Sequence, residues 1–252
     1  MDLGPRRGRQ PSLNEHDRAV SADGHNPTEE LVTAATAEIA KLQARSRRRH
    51  SMSHDVIIGS DGRPRCAWAD DAGTPLGRYH DQVWGHRTYD QRAMFEALTL
   101  GVFQVGLSWS IVFNKRDAFR TAFHDFDIVK IAAMTDKDVD RLTQDASIIR
   151  NRGKIQATVY NARAMLSASP GLAELARSYE STRQRSPRSI AAVPTSTPQA
   201  EAFSRQLKAQ GYRFVGPTSV YAFMQNVGVV NDHIHGCFRA SDVSSSKASS
   251  AT

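Results

Sequence analysis

A chain of 252 residues with 40% hydrophobic content is long enough for one large domain or two small ones and can bury a sizeable core. No run approaches the roughly 18–20 consecutive apolar residues that span a bilayer, and residues 1–10 lack the apolar stretch of a secretory signal. The expectation is therefore a soluble cytoplasmic protein. An excess of 33 Lys plus Arg over 26 Asp plus Glu leaves a net charge of +7 and favours polyanionic partners.

Residues 1–63 are polar and irregular, and such a composition cannot offset its ordering entropy by burial. They are expected to form a disordered basic extension, except that Thr28 can cap a helix over 27–45 with Leu31, Ala35, Ile39 and Leu42 on one face. The run Arg45, Arg47, Arg48, Arg49, His50 reads either as a solvated tail or as a non-specific phosphate contact. Residues 241–252 read as a second tail, which leaves 64–240 for the folded domain.

Within that domain the periodicity is helical. Asp90 or its neighbour caps a segment in which Phe95, Leu98, Val102 and Val105 share a face. Ser108 can cap a second helix carrying Ile111, Val112, Phe119 and Phe123. Thr135 and Asp138 form a variant capping box. A helix is expected over 152–166, another over 198–210 with Thr197 as cap and Pro198 at its first position, and a last one over 218–226. Residues 212–215 are the one β-like fragment. The fold class is all-α.

Residues 144–155 place Arg150, Arg152, Gly153 and Lys154 in a short turn between two expected helices. Free amides at the start of a helix, with cations beside them, can receive a backbone phosphate without reading bases. The turn is thus either a helix-hairpin-helix phosphate site or an exposed connection carrying solvated charge.

The two cysteines, Cys66 and Cys237, stand at opposite ends of the domain, each near a histidine. His233 and Cys237 lie four apart and would share one face of a helical turn. With Cys66 and His80 they would complete a closed Cys2His2 site tying the two ends together. Two free buried thiols are the alternative, and His235 is a competing ligand whose spacing points it elsewhere.

Several blocks occur in order: RCAW at 65–68, YHD-x-x-WG at 79–85, QVGLSW at 104–109, NKRDAFRTAFHDFD at 114–127, DASIIRNRGKI at 145–155, VPTST at 193–197 and GYRFVGPTSVYAFMQNVGVVNDH at 211–233. In these blocks the chain resembles the type I DNA-3-methyladenine glycosylases over about 175 residues. The resemblance implies a helix-hairpin-helix glycosylase fold and zinc on Cys66, His80, His233 and Cys237. It implies a monomer acting on the nucleoid, on double-stranded DNA containing alkylated bases. The implied reaction is hydrolysis of the N-glycosidic bond to an alkylated adenine, for base excision repair.

The resemblance also puts Trp109 on the aromatic that stacks on the extruded base and Tyr79 on a pocket tyrosine, with Trp68, Trp84 and Gln104 around them. Asp81 and Asp232 adjoin ligand histidines and are expected to orient them or cap a helix. The chain departs from the family pattern at Gly101, where a pocket glutamate is expected. Glu96, the nearest acid, is expected at the surface. The loss admits a second reading, a paralogue that binds damaged DNA with altered specificity or without catalysis. A polar, looser loop is expected between 169 and 192.

Overall fold

In the computed structural model the described residues are 55–180 and 186–240. The helix expected over 27–45, the arginine run and the tail over 241–252 lie outside them.

The described part is mostly helical, as expected, but it opens on a hairpin that crosses the expected boundary at residue 64. Strand β1 (Val56–Ile58) pairs antiparallel with β2 (Pro64–Cys66), Val56 facing Cys66. Val56 and Cys66 are buried against Ile234 and Cys237. Arg65, 1% exposed, donates to both oxygens of Asp61 at 2.7 and 2.6 Å and to Asp81 at 2.7–3.1 Å. These contacts order a stretch whose local composition reads as disordered, because its partners lie far along the chain, Val56 packing against Ile234 and Cys237. The β-like fragment over 212–215 is instead a turn: Phe214 has φ +56°, while Tyr212 and Val215 are buried.

Among the described residues, ten α-helices follow. Helix α1 (Pro75–Gln82) is capped by Thr74, whose Oγ1 accepts from Gly77 N at 2.9 Å, and it carries His80. Helix α2 (Gln91–Gln104) starts at Asp90, whose carboxylate accepts from Ala93 N as anticipated. It is buried on every side, because Met94 and Leu98 face one core and Phe95 and Phe103 face another. Val105 lies beyond its end and is exposed.

The helix expected after Ser108 is broken into α3 (Trp109–Phe113) and α4 (Arg116–Ala122), and Ile111 turns outward. Then come α5 (Ile128–Ala132), α6 (Asp136–Gln144) and α7 (Arg152–Ser167). Asp138 accepts from Thr135 N at 2.9 Å and Thr135 Oγ1 at 2.8 Å, which is the box seen in the sequence. The expected loop over 169–192 contains α8 (Leu172–Ser178), held by buried Leu172, Leu175 and Ala176. Helices α9 (Pro198–Ala209) and α10 (Pro217–Asn226) match their expected spans within a residue, and α10 packs on both α9 and α2.

Candidate functional site

Between α2 and α10 lies a cavity of about 310 Å³, within the roughly 300–1,000 Å³ of small-molecule sites. Trp68, Trp84 and Trp109 wall it, and Gln104, Ser110, Gln225 and Asn226 supply polar groups. Trp68 and Trp84 meet edge to face at 5.0 Å. Trp109 is half-buried and packs on Tyr79 at 5.6 Å between centroids. Trp68, Gln104 and Trp109 are therefore brought together as expected. The exposed side chains of Val105, Leu107 and Ile111 flank Trp109 along the chain.

Tyr79 lines two neighbouring cavities rather than this one, and touches its wall at Trp109 and Asn226. Its hydroxyl donates to Asn226 Oδ1 at 2.6 Å, and burial pushes its phenol well above the ordinary range, so it stays protonated. The sequence did not single out Asn226; it carries no local signal beyond its place at the end of a helix.

Glu96 is a correction. It is buried rather than on the surface and accepts from Arg116 Nε at 2.6 Å and from Arg120 at 3.0 and 3.2 Å. Two guanidiniums compensate its charge, which accounts for its tolerance in the interior. Asp232 is likewise engaged differently from the expectation: its Oδ2 accepts from Tyr221 Oη and Gln225 Nε2, both at 2.6 Å.

The second candidate centre joins the two ends of the domain. Cys66, His80 and Cys237 are buried, with ligand atoms within 4.8 Å of one another. His233 is beside them, its ring 5.0 Å from that of His80. No helical turn aligns His233 with Cys237; they are joined by a loop that turns at Gly236, φ +93°. Gly85, φ +74°, passes so close that a Cβ there would lie 2.6 Å from the His233 ring.

Hydrogen bonds already orient both rings. His80 Nδ1 pairs with Asp81 Oδ1 at 2.8 Å and His233 Nδ1 with Asn231 Oδ1 at 2.8 Å, which turns each Nε2 inward. Among the described residues, none pairs with the buried His233 Nε2. A hydrogen bond from Cys66 draws the Cys237 thiol down against the penalty of burial, with His80 adding to the effect. Two soft sulfurs and one inward imidazole nitrogen within 4.8 Å of one another, with the orphaned His233 Nε2 nearby, suit a soft cation such as zinc, which bonds such ligands at about 2.0–2.3 Å. His235 is exposed and takes no part.

The turn between α6 and α7 differs in detail from its expected role. Arg150 and Gly153 are exposed, and no described group pairs with Arg150. Arg152 is paired with Asp140. Lys154 is a correction: it is buried, and its Nζ donates to Phe103 O at 2.9 Å and Val105 O at 2.5 Å. It closes the carbonyl end of α2 and is not available to a phosphate.

Residues 68–240 match the methyladenine glycosylase family. The chain belongs to that family. The DNA-3-methyladenine glycosylase 1 of Escherichia coli is 43% identical over 178 residues, 69% of this chain and 95% of that protein. The Haemophilus influenzae DNA-3-methyladenine glycosylase is 38% identical, over 69% and 96%. A crystal structure of a 3-methyladenine DNA glycosylase I superposes with a TM-score of 0.65 at 44% identity, covering 69% of this chain and 98% of the other. The Staphylococcus aureus enzyme, solved for its recognition of 3-methyladenine, gives 0.63 at 31% identity, covering 69% and 95%. As a methyladenine glycosylase family member, the chain carries its family-matched region from Trp68, just past β2, through the last described residue.

Proposed function

We propose that this chain is a DNA-3-methyladenine glycosylase, which hydrolyses the N-glycosidic bond of an alkylated base in double-stranded DNA. What carries the reading is the tryptophan-walled cavity between α2 and α10 in a member of this family. The reacting carbon is inaccessible inside a duplex, so the nucleotide must leave the stack and enter a pocket. Trp109 stacks on the extruded base, Trp68 and Gln104 bound it, and Asn226, held by Tyr79, supplies a polar back wall. An alkylated purine of this kind is cationic and leaves readily, so orientation and admission of water suffice and no strong general base is needed.

The backbone is received at the α6–α7 turn by the amides around Gly153 and by Arg150. Cys66, His80, His233 and Cys237 hold zinc, which ties the hairpin and the 233–237 loop together and supplies stability rather than reactivity. The residues before the hairpin, with their arginine run at 45–49, add non-specific attraction to DNA.

Gly101 favours a second reading, a paralogue that recognises damage with altered specificity or without cleavage. On α2, Gly101 is four residues after Ala97 and three before Gln104, both of which line cavities, so it shares their face with no side chain to offer. Base release from methylated duplex DNA decides between the readings. Release of 3-methyladenine that is lost in Trp109→Ala supports the glycosylase. Salt-sensitive binding to damaged DNA with no base released supports the paralogue.

A further inference from the structure

We propose that Lys115 is a positioning residue for base release, one of two lysines that tie the turn receiving the DNA backbone to the segment carrying Trp109. The proposal rests on the glycosylase reading, in which the α6–α7 turn takes the backbone and Trp109 takes the base.

Two stretches of chain are joined here. One runs from Val105 to Lys115, between the end of α2 and the start of α4, and carries Trp109 on α3. The other runs from Asp145 to Lys154 and forms the turn between α6 and α7. Each is bound to the other at both ends. Lys154, at the end of the turn, donates from Nζ to Phe103 O at 2.9 Å and to Val105 O at 2.5 Å. Lys115, at the end of the tryptophan segment, donates from Nζ to Ser147 O at 2.7 Å and to Ala146 O at 3.3 Å. The two stretches and the two ammonium groups close a ring.

Hydrogen bonds give this ring what apolar packing does not. Apolar burial is non-directional, whereas a hydrogen bond weakens steeply once its length or angle leaves the preferred range, so it fixes the register of one segment on the other. The Lys154 tie is held against a desolvation cost, since burial lowers the pKa of its ammonium. Beyond the ties the chain is anchored as well. Arg116, next to Lys115, donates to Glu96 on α2 at 2.6 Å, and Ile148, next to Ser147, is buried in one apolar cluster with Val112 and Ile155. Neither lysine lines the tryptophan-walled cavity, so neither is placed to touch the base.

An extruded nucleotide is held at two points, its phosphate at the turn and its base against Trp109. The glycosidic bond is presented correctly when the spacing of those points matches the nucleotide. A free base has no phosphate and makes no such demand. Loss of a tie therefore affects release of a base from DNA and spares the binding of the same base in free form.

The test compares wild type with Lys115→Met in the full chain. Binding of free 3-methyladenine, read from quenching of tryptophan fluorescence, is expected to agree within a factor of about two. Release of 3-methyladenine from methylated duplex DNA, in single turnovers at saturating protein, is expected to be about tenfold slower, because a displacement on the order of 1 Å remote from the chemistry can cost about 100-fold. Lys115→Arg keeps the charge and the donors and is expected to restore the rate to within about threefold. Lys115→Gln, neutral and shorter, is expected to behave as Lys115→Met does, so the outcome does not depend on the folding of one variant.

Three results overturn the role of Lys115 and leave the glycosylase reading intact. The first is a release rate in Lys115→Met equal to that of wild type. The second is a loss confined to the protein concentration needed for saturation, which would make Lys115 a backbone contact. The third is an equal loss of affinity for the free base, which would make it part of the pocket. A wild-type chain that releases no base overturns the glycosylase reading and this inference with it.

Discussion

Asp81 joins His80 to Arg65: its Oδ1 meets His80 Nδ1 at 2.8 Å, and its Oδ2 accepts from Arg65 Nη2 at 2.7 Å. A buried arginine on β2 thus fixes, through one carboxylate, the direction in which a candidate metal ligand on α1 points. Arg65→Met is expected to leave the ligands present but loosen the His80 ring. Metal affinity is expected to fall about 10- to 100-fold, the usual effect of losing an orienting group. Competition with a chromophoric zinc chelator measures it; unchanged affinity would show that Asp81 orients His80 without Arg65.

Metal content and stability should move together. The purified chain is expected to hold one zinc per molecule. Cys237→Ser or His233→Gln should lose it and lower the melting temperature, whereas His235→Gln, altering an exposed side chain, should change neither. Elemental analysis paired with thermal melts checks this, and a stable, metal-free wild type would remove zinc from the account.

Lys154 and Arg150 lie four residues apart but should fail in different ways. Lys154→Met removes a charged donor from two carbonyls at the end of α2 and should cost about 1.5–3 kcal/mol of stability. Arg150→Ala should leave stability unchanged and weaken binding to duplex DNA, with the salt slope reduced by about one. Denaturant melts and salt titrations separate them; a stable Lys154→Met would mean that its buried bonds contribute little.

Trp109→Ala should reduce affinity for a free methylated base by about 1–3 kcal/mol, the range for a base on an aromatic ring. Because Trp109 is half-buried at the start of α3, far-UV circular dichroism should be nearly unchanged. Equal affinity in the variant would place the base elsewhere.

Acid should weaken two helix starts and the turn that follows α6. The Lys130 amide at Asp127, the Thr135 amide at Asp138 and the Ser147 hydroxyl at Asp145 each hold a carboxyl below its ordinary value of 3.8. A depressed folded pKa gives stability that is complete above the unfolded value and lost as pH falls through the folded one. The melting temperature is therefore expected to decline below about pH 4, with a shallower slope in Asp138→Asn, which removes one of the three titrations.

The sequence by itself determined the family, the helical class, and the caps at Asp90, Thr135 and Thr197, because those signals are local or lie in ordered blocks. It also placed Trp68, Tyr79, Gln104 and Trp109 together, and it paired each terminal cysteine with a nearby histidine. Only the tertiary structure decided where the charges go. Lys154 and Arg150 look alike in a basic turn, yet one closes a helix 50 residues away and the other faces solvent. Glu96 reads as a surface acid until Arg116 and Arg120 fold back onto it. The β hairpin depends on Arg65 and on Ile234 and Cys237, and the polarity of the cavity wall depends on Tyr79 meeting Asn226 across 147 residues. Burial and hydrogen-bond partnership are properties of distant pairs, and a linear pattern records only the half of each pair that lies at hand.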